Sequence, residues 1–302
     1  MFTIRLSNGF VWKARGAAET AGWLRDMAGF LGVSGGNAGS CADFRVERAE
    51  FGAGRRYDAR AALDLSSHGV VCPAGWCIRA WPDLALLNHE ELSYVLAGIA
   101  DAADWEARIE QMRHAMLPFY EAVSANGGLP LHTALAEIRG QGVLLAGISG
   151  AGKSTCCRRF PAPWRALGDD MAVAVPCGDG AFRAHPLPTW SAVKARTLER
   201  PCVLPHSVPV RAVFFLARGD ADEVAPVSGA RAALSIYDAA MQVFSSVDHS
   251  AYTPGGSTYR RIVFENAAAM AAAVPAFVLH VSLHGRFWEK IEEALEKGDS
   301  PH

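Results

Sequence analysis

A glycine-rich stretch in the middle of the chain, Gly147–Thr155, constrains the fold more than any other part of the sequence. Its letters, GISGAGKST, match the phosphate-binding pattern G-x-x-x-x-G-K-[ST]. The apolar run Val143–Ala146 precedes it and predicts a buried strand, and the residues that follow can begin a helix. In such a unit the backbone N–H groups of the loop turn inward around an anion, beside the positively polarised helix N-terminus. The sequence therefore predicts a nucleotide-phosphate site within an α/β fold.

Two side chains of this loop have expected tasks. Lys153 would reach the outer phosphates, and the hydroxyl of Ser154 would bind Mg²⁺. An incidental glycine-rich turn is the alternative interpretation, and the flanking strand and helix count against it. The residues predicted to bind the nucleotide are Gly147, Ser149, Gly150, Ala151, Gly152, Lys153, Ser154 and Thr155.

The overall composition limits the possible partners. Of the 302 residues, 50% are hydrophobic and 20% charged, which provides a sizeable core and argues against disorder. With a net charge of −2 and an isoelectric point near 6.6, the chain has no strong basic field for nucleic acid or an anionic membrane. We therefore expect neither of these partners.

Cysteine usage and the chain start favour a cytoplasmic protein. The seven cysteines form no C-x-x-C pair, so neither a disulfide framework nor a zinc ribbon is indicated, and free thiols are expected. The N-terminus lacks the basic-then-apolar order of a signal peptide, and no apolar run reaches membrane-spanning length. Whether the protein forms a homo-oligomer stays open.

The pattern of hydrophobic residues divides the chain into two parts. Residues 1–125 are interpreted as a small α+β unit, either a substrate-docking element or structural support, and residues 126–302 as an ATP-binding catalytic domain. In the first part we expect a hairpin turning at Asn8-Gly9, a helix over 17–31, strands over 44–51, 70–72 and 76–81, and a mostly helical stretch over 89–123.

In the second part strands and helices alternate. A hairpin over 129–146 delivers the phosphate loop, and Pro161 must end the helix that follows it. Further predicted elements are strands over 171–175, 182–185, 210–217 and 277–281, helices over 230–244 and 285–297, and a segment over 257–274 that is helical except for an open first third.

Two adjacent carboxylates follow the phosphate loop. Asp169 lies fifteen residues after Ser154, at the end of a short, partly apolar segment, and Asp170 is next to it. Phosphoryl transfer requires one carboxylate near Mg²⁺ and one group that orients or deprotonates the attacking hydroxyl. A simple turn is the alternative. Because the loop is so close upstream, we favour a functional pair.

The segments Leu131–Ser154 and Ala166–Val173 resemble the catalytic core of HPr kinase/phosphorylase. A histidine-bearing strand, a glycine turn, an apolar strand, the phosphate loop and an Asp-Asp pair follow in the order typical of that family. The stretch His185–Ser191, with sequence HPLPTWS, is similar to HPr-kinase-related proteins of peptide-modification cassettes, such as the SynChlorMet cassette C protein. The resemblance implies a P-loop kinase core of the HPr kinase/PEP carboxykinase type with a central mixed β-sheet.

The resemblance also implies site residues and cofactors. ATP and Mg²⁺ would be the cofactors, Asp169 the base and Asp170 the metal-side carboxylate, although the two aspartates could exchange roles. His132 matches the family's histidine near the base, where it could tune the pKa of the base or relay its proton. A core histidine is the alternative interpretation. Weaker candidates for binding substrate or transition-state charge are His185, Lys194, Arg196, Arg200, Arg260 and Arg261.

The chain departs from the HPr kinase pattern after the core. No R-G-x-G signature follows the phosphate loop and the Asp-Asp pair, which argues against HPr as the acceptor. The resemblance to cassette proteins implies instead a serine or threonine hydroxyl of a small protein or ribosomally made precursor peptide. Two rival functions stay open: a P-loop ATPase or nucleotide-dependent regulator without a protein acceptor, and a binding module stabilised by nucleotide. A GTPase is disfavoured because the sequence has no N-K-x-D motif.

Overall fold

The computed structural model describes residues 1–34, 43–48, 76–89, 93–197, 202–245 and 256–298. The strand expected over 70–72 and the cation Arg200 lie outside these residues. The described strands are β1 Phe2–Arg5, β2 Val11–Gly16, β3 Phe44–Arg48, β4 Trp76–Trp81, β5 Leu84–His89, β6 Val95–Ile99, β7 Leu129–Leu131, β8 Thr133–Ile138, β9 Gln141–Ala146, β10 Arg165–Gly168, β11 Ala172–Pro176, β12 Phe182–Pro186, β13 Val208–Arg218, β14 Glu223–Pro226 and β15 Ala276–Val281.

The helices lie mostly after the first sheet. They are α1 Ala21–Leu31, α2 Trp105–Ala115, α3 Leu117–Ala125, α4 Lys153–Arg159, α5 Trp190–Lys194, α6 Gly229–Ser245, α7 Gly256–Ala273 and α8 Phe287–Gly298, and a 3₁₀ turn, Ala18–Thr20, precedes α1. None of the described helices is long and apolar enough to cross a bilayer.

Two mixed sheets organise the described residues. The first has the order β1-β2-β3-β6-β5-β4, with parallel pairing of β2 with β3 and of β3 with β6. The second has the order β10-β8-β9-β13-β12-β11-β7, and β15 and β14 extend it from β13. Strands β9, β13 and β15 are parallel, so the phosphate loop after β9 opens at the edge where β13 and β15 also end.

A continuous hydrophobic core joins the two sheets. One cluster of buried residues contains Phe2 and Trp12 from the first sheet together with Leu144 and Val173 from the second. A second cluster covers the other face of the second sheet, where Phe287 of α8 packs among its strands. The fold is therefore mixed α/β, as the sequence predicts.

Most predicted elements are confirmed. The hairpin at Asn8-Gly9, helix α1, the hairpin over 129–146 and the strand and helices that follow lie close to their expected bounds, and the open first third of 257–274 is helical. The thiols of Cys156, Cys157, Cys177 and Cys202 are free, also as expected.

The prediction of a mostly helical stretch over 89–123 is wrong in its first part. Val95–Ile99 is strand β6, which lies between β3 and β5. The helix begins only at Trp105, because the carboxylate of Asp104 accepts a hydrogen bond from the N–H of Ala107 and so caps its first turn. Strands β5, β10 and β14 and the short helix α5 were also not predicted.

Candidate functional site

Hairpin register places His132 beside the phosphate loop. Strands β8 and β9 are joined by Arg139 and Gly140, whose φ angles of 50° and 79° are those of a type I′ turn. This two-residue turn pairs Thr133 with Ala146, the last residue of β9. His132 precedes Thr133, and Gly147 follows Ala146. The histidine therefore lies beside the first residue of the phosphate loop.

The aspartate pair meets His132 at a junction in the sheet. The segment that contains β10 and β11 first pairs with β8, through Gly168 and Leu135, and then with β7, through Ala172 and Leu131. His132 lies between β7 and β8, and the two aspartates lie between β10 and β11. The pairing of the two segments is therefore interrupted at the same place. There the side chain of His132 can face those of the two aspartates.

Lys153 is held inside the loop by several acceptors. Its ammonium Nζ donates to the carbonyl oxygen of Gly147 at 2.7 Å and lies 2.9 Å from Nε2 of His132. A longer contact of 3.4 Å reaches the carbonyl of Ile148. The lysine is only 7% exposed, and burial lowers the pKa of its ammonium, an effect that the charges of Asp170 and Asp169 oppose.

His132 connects Lys153 to Asp170. Its Nδ1 lies 3.3 Å from Oδ1 of Asp170, on the opposite side of the ring from Lys153. An ammonium is only a donor, so Nε2 must accept, and the ring proton belongs on Nδ1, facing the carboxylate. Burial, followed by the charge of Lys153, lowers the pKa of His132, which agrees with a neutral ring. The three side chains form a chain of ammonium, neutral imidazole and carboxylate.

Asp170, at the other end of this chain, is half-buried. Burial raises the pKa of its carboxyl group, whereas His132, Lys153 and Arg113 lower it. Arg113 belongs to α2, far upstream of the loop, and sequence reasoning missed it. No local pattern links α2 to the aspartates.

Asp169 has a different partner. Its Oδ1 accepts a hydrogen bond of 2.6 Å from the hydroxyl of Thr189, the residue before α5. Thr189 lies in the HPLPTWS stretch, and no sequence pattern predicts a task for its hydroxyl. The described side-chain contacts of His132 go to Asp170 and Lys153, whereas Asp169 is held from a separate element.

The rest of the loop faces outward. Ile148 is 73% exposed, Ser149 and Thr155 are exposed, and Ser154 is half-buried at the start of α4. Nη2 of Arg218, at the end of β13, donates to the carbonyl of Gly150 at 3.1 Å. This second cation at the loop was not among the predicted residues.

The weaker cation candidates have structural contacts elsewhere. Lys194 pairs with Glu106 at 3.2 Å, and the guanidinium of Arg196 lies over the ring of Trp105. Arg261 pairs with Glu265 on the surface of α7, the helix that also carries Arg260. Both ring nitrogens of His185 are hydrogen-bonded in the core, Nε2 to the N–H of Ser7 and Nδ1 to the carbonyl of Leu204.

The oxygen donors near the loop suit a magnesium ion that arrives with a nucleotide. The described residues contain no group of three or more His, Cys, Asp and Glu side chains that could hold a metal. Mg²⁺ in nucleotide sites is commonly bound by one or two carboxylates together with phosphate oxygens and water. The Ser154 hydroxyl and the Asp170 carboxylate are hard oxygen ligands of this kind, so the residues present fit such an ion.

The chain matches a known protein family. The family described as SynChlorMet cassette protein ScmC matches residues 95–296, about two thirds of the chain. The matched range includes the phosphate loop, His132, both aspartates and helix α2. None of the curated proteins compared with the chain matches it. The chain belongs to the SynChlorMet cassette protein ScmC family.

Proposed function

We propose that the protein is an ATP- and Mg²⁺-dependent kinase of the HPr-kinase-like class. It would transfer the γ-phosphoryl group to a serine or threonine hydroxyl of a small protein or ribosomally made precursor peptide. The observation that supports this most is the buried Lys153 of the strand–loop–helix unit. Its side chain is linked through His132 to Asp170. A lysine of this loop motif contacts the outer phosphates. Because a single histidine joins Asp170 to this lysine, the carboxylate of Asp170 lies at the phosphate end of the site.

The two aspartates divide the remaining tasks in this proposal. Asp170 takes the nucleotide and metal side with Ser154, because it is the carboxylate that is joined to the loop lysine. Charge neutralisation on the phosphate oxygens is the chemistry that Mg²⁺ supplies when it is bound there. Asp169 has one oxygen occupied by Thr189 and one oxygen left for a proton.

In the transfer step one proton and one phosphoryl group change place. Asp169 accepts the proton of the acceptor hydroxyl while the hydroxyl oxygen forms a bond to the γ-phosphorus. The bond between that phosphorus and the bridging oxygen breaks, and ADP leaves. Lys153 stays on the phosphate oxygens and offsets their charge. His132 holds Lys153 and Asp170 in position and does not pass a proton to the acceptor.

Membership of a cassette family favours a peptide acceptor. The family name associates its members with a cassette, and a modifying enzyme in a cassette would act on the precursor encoded beside it. The first test is to incubate the purified protein with γ-labelled ATP, Mg²⁺ and that precursor peptide. Acid-stable label on the peptide is the expected result, since serine and threonine phosphates survive acid. Label on HPr alone, or none, would contradict the peptide assignment.

The Asp169→Asn variant separates a kinase from a nucleotide-binding regulator. We expect it to bind ATP as the wild type does and to transfer at least about 100-fold more slowly, the low end of what general-base loss costs. Asp170→Asn serves as the matched comparison, and it should weaken Mg²⁺-dependent ATP binding. If ATP is hydrolysed equally fast with and without peptide and no label reaches the peptide, the ATPase alternative is favoured.

A further inference from the structure

The hydroxyl of Thr189 does not cap the helix that this residue precedes. Thr189 is the N-cap residue of α5, and its carbonyl accepts from the N–H of Val193. A threonine at this position usually accepts a hydrogen bond from the first turn of its own helix. Here the side chain makes no such cap bond and instead donates to Oδ1 of Asp169 at 2.6 Å.

The support for Thr189 is rigid. Trp190, the next residue, is buried and packs edge-on against Phe30. The far end of α5 is tied to α2, where the indole N–H of Trp105 donates to the carbonyl of Lys194 at 3.0 Å. The Lys194 ammonium also pairs with Glu106 of α2. The hydroxyl is therefore presented to Asp169 from an element that is fixed at both ends.

A single donor at one oxygen determines what the other oxygen of a carboxylate can do. The bond to Oδ1 restricts rotation of the Asp169 side chain and leaves Oδ2 as the oxygen that can accept a further proton. Catalytic bases are commonly oriented by a third group in this way. We propose that Thr189 is a positioning residue that fixes the orientation of the Asp169 carboxylate for transfer. This rests on the proposed function, in which Asp169 is the base.

Three variants test the proposal by kinetics. Thr189→Val keeps the shape of the side chain and removes the donor, and Thr189→Ser restores the hydroxyl. Thr197→Val, at an exposed threonine just after α5, is the matched control. We expect Thr189→Val to lower kcat by about 10- to 100-fold, the usual effect of losing an orienting partner, with KM for ATP within about twofold. Thr189→Ser should recover most of the lost kcat, and Thr197→Val should match the wild type.

A second measurement does not depend on kinase activity. Crystal structures of the wild type and of Thr189→Val would show the Asp169 side chain directly. We expect the wild type to keep the Thr189 bond and the variant to show Asp169 turned from that orientation or in several orientations. Because the side chain of Thr189 does not cap α5, the thermal midpoint of the variant should stay close to that of the wild type.

The outcomes separate the two proposals. Wild-type kcat in Thr189→Val, an unchanged Asp169 orientation in its crystal structure, or failure of Thr189→Ser to recover activity would each overturn the positioning role. If the wild type transfers no phosphoryl group to any acceptor, the proposed function fails, and the crystal structures still decide whether Thr189 orients Asp169.

Discussion

At the scale of single residues, Lys153 has the densest set of contacts in the candidate site. Its three N–H groups face the Gly147 carbonyl, the Ile148 carbonyl and the ring of His132. A buried ammonium is tolerated when its donors are satisfied, and this arrangement satisfies them within the loop. A phosphate that enters the loop would compete with these neutral acceptors and, as an anion, would be the stronger partner.

Replacement of Lys153 by methionine should lower both the rate of transfer and the stability of the fold. We expect transfer to fall by at least about 100-fold, the scale seen when a preorganised charge is removed from a transition state. The free energy of unfolding should also fall, by about 1–3 kcal/mol, because the Gly147 carbonyl and Nε2 of His132 lose their donor. Steady-state kinetics and denaturant unfolding measure the two effects.

Lys153→Arg is the matched control for charge. It keeps the cation but changes its shape, so it should retain more stability than Lys153→Met and still transfer poorly. Full transfer activity in Lys153→Met would contradict the place given to Lys153 at the phosphates.

At the scale of elements, a buried histidine ties the N-terminal hairpin to the second sheet. His185 of β12 accepts from the backbone N–H of Ser7 at Nε2, at 3.1 Å, and its Nδ1 donates to the carbonyl of Leu204 at 2.8 Å. Because Nε2 must accept the bond from Ser7, this pair of bonds requires the neutral ring. Burial lowers the pKa of His185 below its usual 6.5, and the charges of Arg183 and His206 lower it further.

This contact predicts an acid-sensitive fold. Since the pKa of His185 is lower in the folded state, the unfolded chain takes up the proton first as the pH falls. The free energy of unfolding should therefore decline from about pH 6.5 downward, until the folded His185 also becomes protonated. Denaturant unfolding between pH 7.5 and pH 5, at constant ionic strength, measures this slope.

Two variants identify the group that is responsible. His185→Leu should be less stable at pH 7.5, by about 1–3 kcal/mol, because the Ser7 N–H and the Leu204 carbonyl lose their partners. Its pH slope should be smaller than that of the wild type by up to about one proton. The hydroxyl of Ser7 also lies 3.0 Å from Nε2 of His185, and Ser7→Ala, which removes only this contact, should keep the slope. Equal slopes in the wild type and His185→Leu would contradict the assignment.

The end of α1 depends on a glycine that no other residue can replace without strain. Gly32 is the C-cap residue and has a φ of 62°, and a Cβ at this position would lie 1.9 Å from the carbonyl oxygen of Cys202. The backbone of residues 202–204 packs here, and the N–H of Leu204 donates to the carbonyl of Leu31. Both the conformation and the close approach therefore require glycine.

Gly32→Ala should lower the free energy of unfolding by about 2 kcal/mol or more, since strain and a backbone clash combine. Gly29→Ala, in the same helix, is the control, because a Cβ there meets nothing within 4 Å. That change should be neutral or stabilising, as alanine is favoured in helices. Thermal or denaturant unfolding of both variants measures the difference. Similar losses in the two would indicate that the contact with Cys202 is not tight.

At the scale of the whole molecule, the two sheets share one core. The cluster that holds Phe2 and Trp12 also holds Leu144, Val173 and Phe244, so apolar surface of the first sheet is buried against elements of the second. Neither sheet could separate from the other without exposing these side chains. The contacts of Ser7 with His185 and of Leu31 with Leu204 add hydrogen bonds across the same boundary.

We therefore predict that the chain unfolds in a single cooperative transition. Far-ultraviolet circular dichroism follows all elements, and tryptophan fluorescence samples both parts through residues such as Trp12 and Trp190. The midpoints from the two probes should coincide, as expected for a two-state transition. Two separate midpoints would show that the sheets unfold independently despite their common core.

The sequence was sufficient for features that depend on neighbouring residues. The phosphate loop, the hairpin before it and the short helix after it follow from glycine spacing, apolar runs and the position of Pro161. The hairpin was predicted without its register, and the turn at Arg139 and Gly140 that puts His132 opposite Gly147 is known only from the structure. The stretch Val95–Ile99 was misassigned to a helix, because sheet formation depends on distant partner strands.

What the sequence alone determined is thus the loop and the identity of the polar groups near it; their roles as nucleotide, metal and base residues stay predictions. Only the tertiary structure decided that His132 meets Asp170, that Thr189 holds Asp169 and that Arg113 approaches from α2. The physical reason is that these contacts form where separate strands break their ladders and where helices from distant parts of the chain pack together. Local periodicity contains no information about such meetings, whereas packing and hydrogen-bond satisfaction in the folded chain select them.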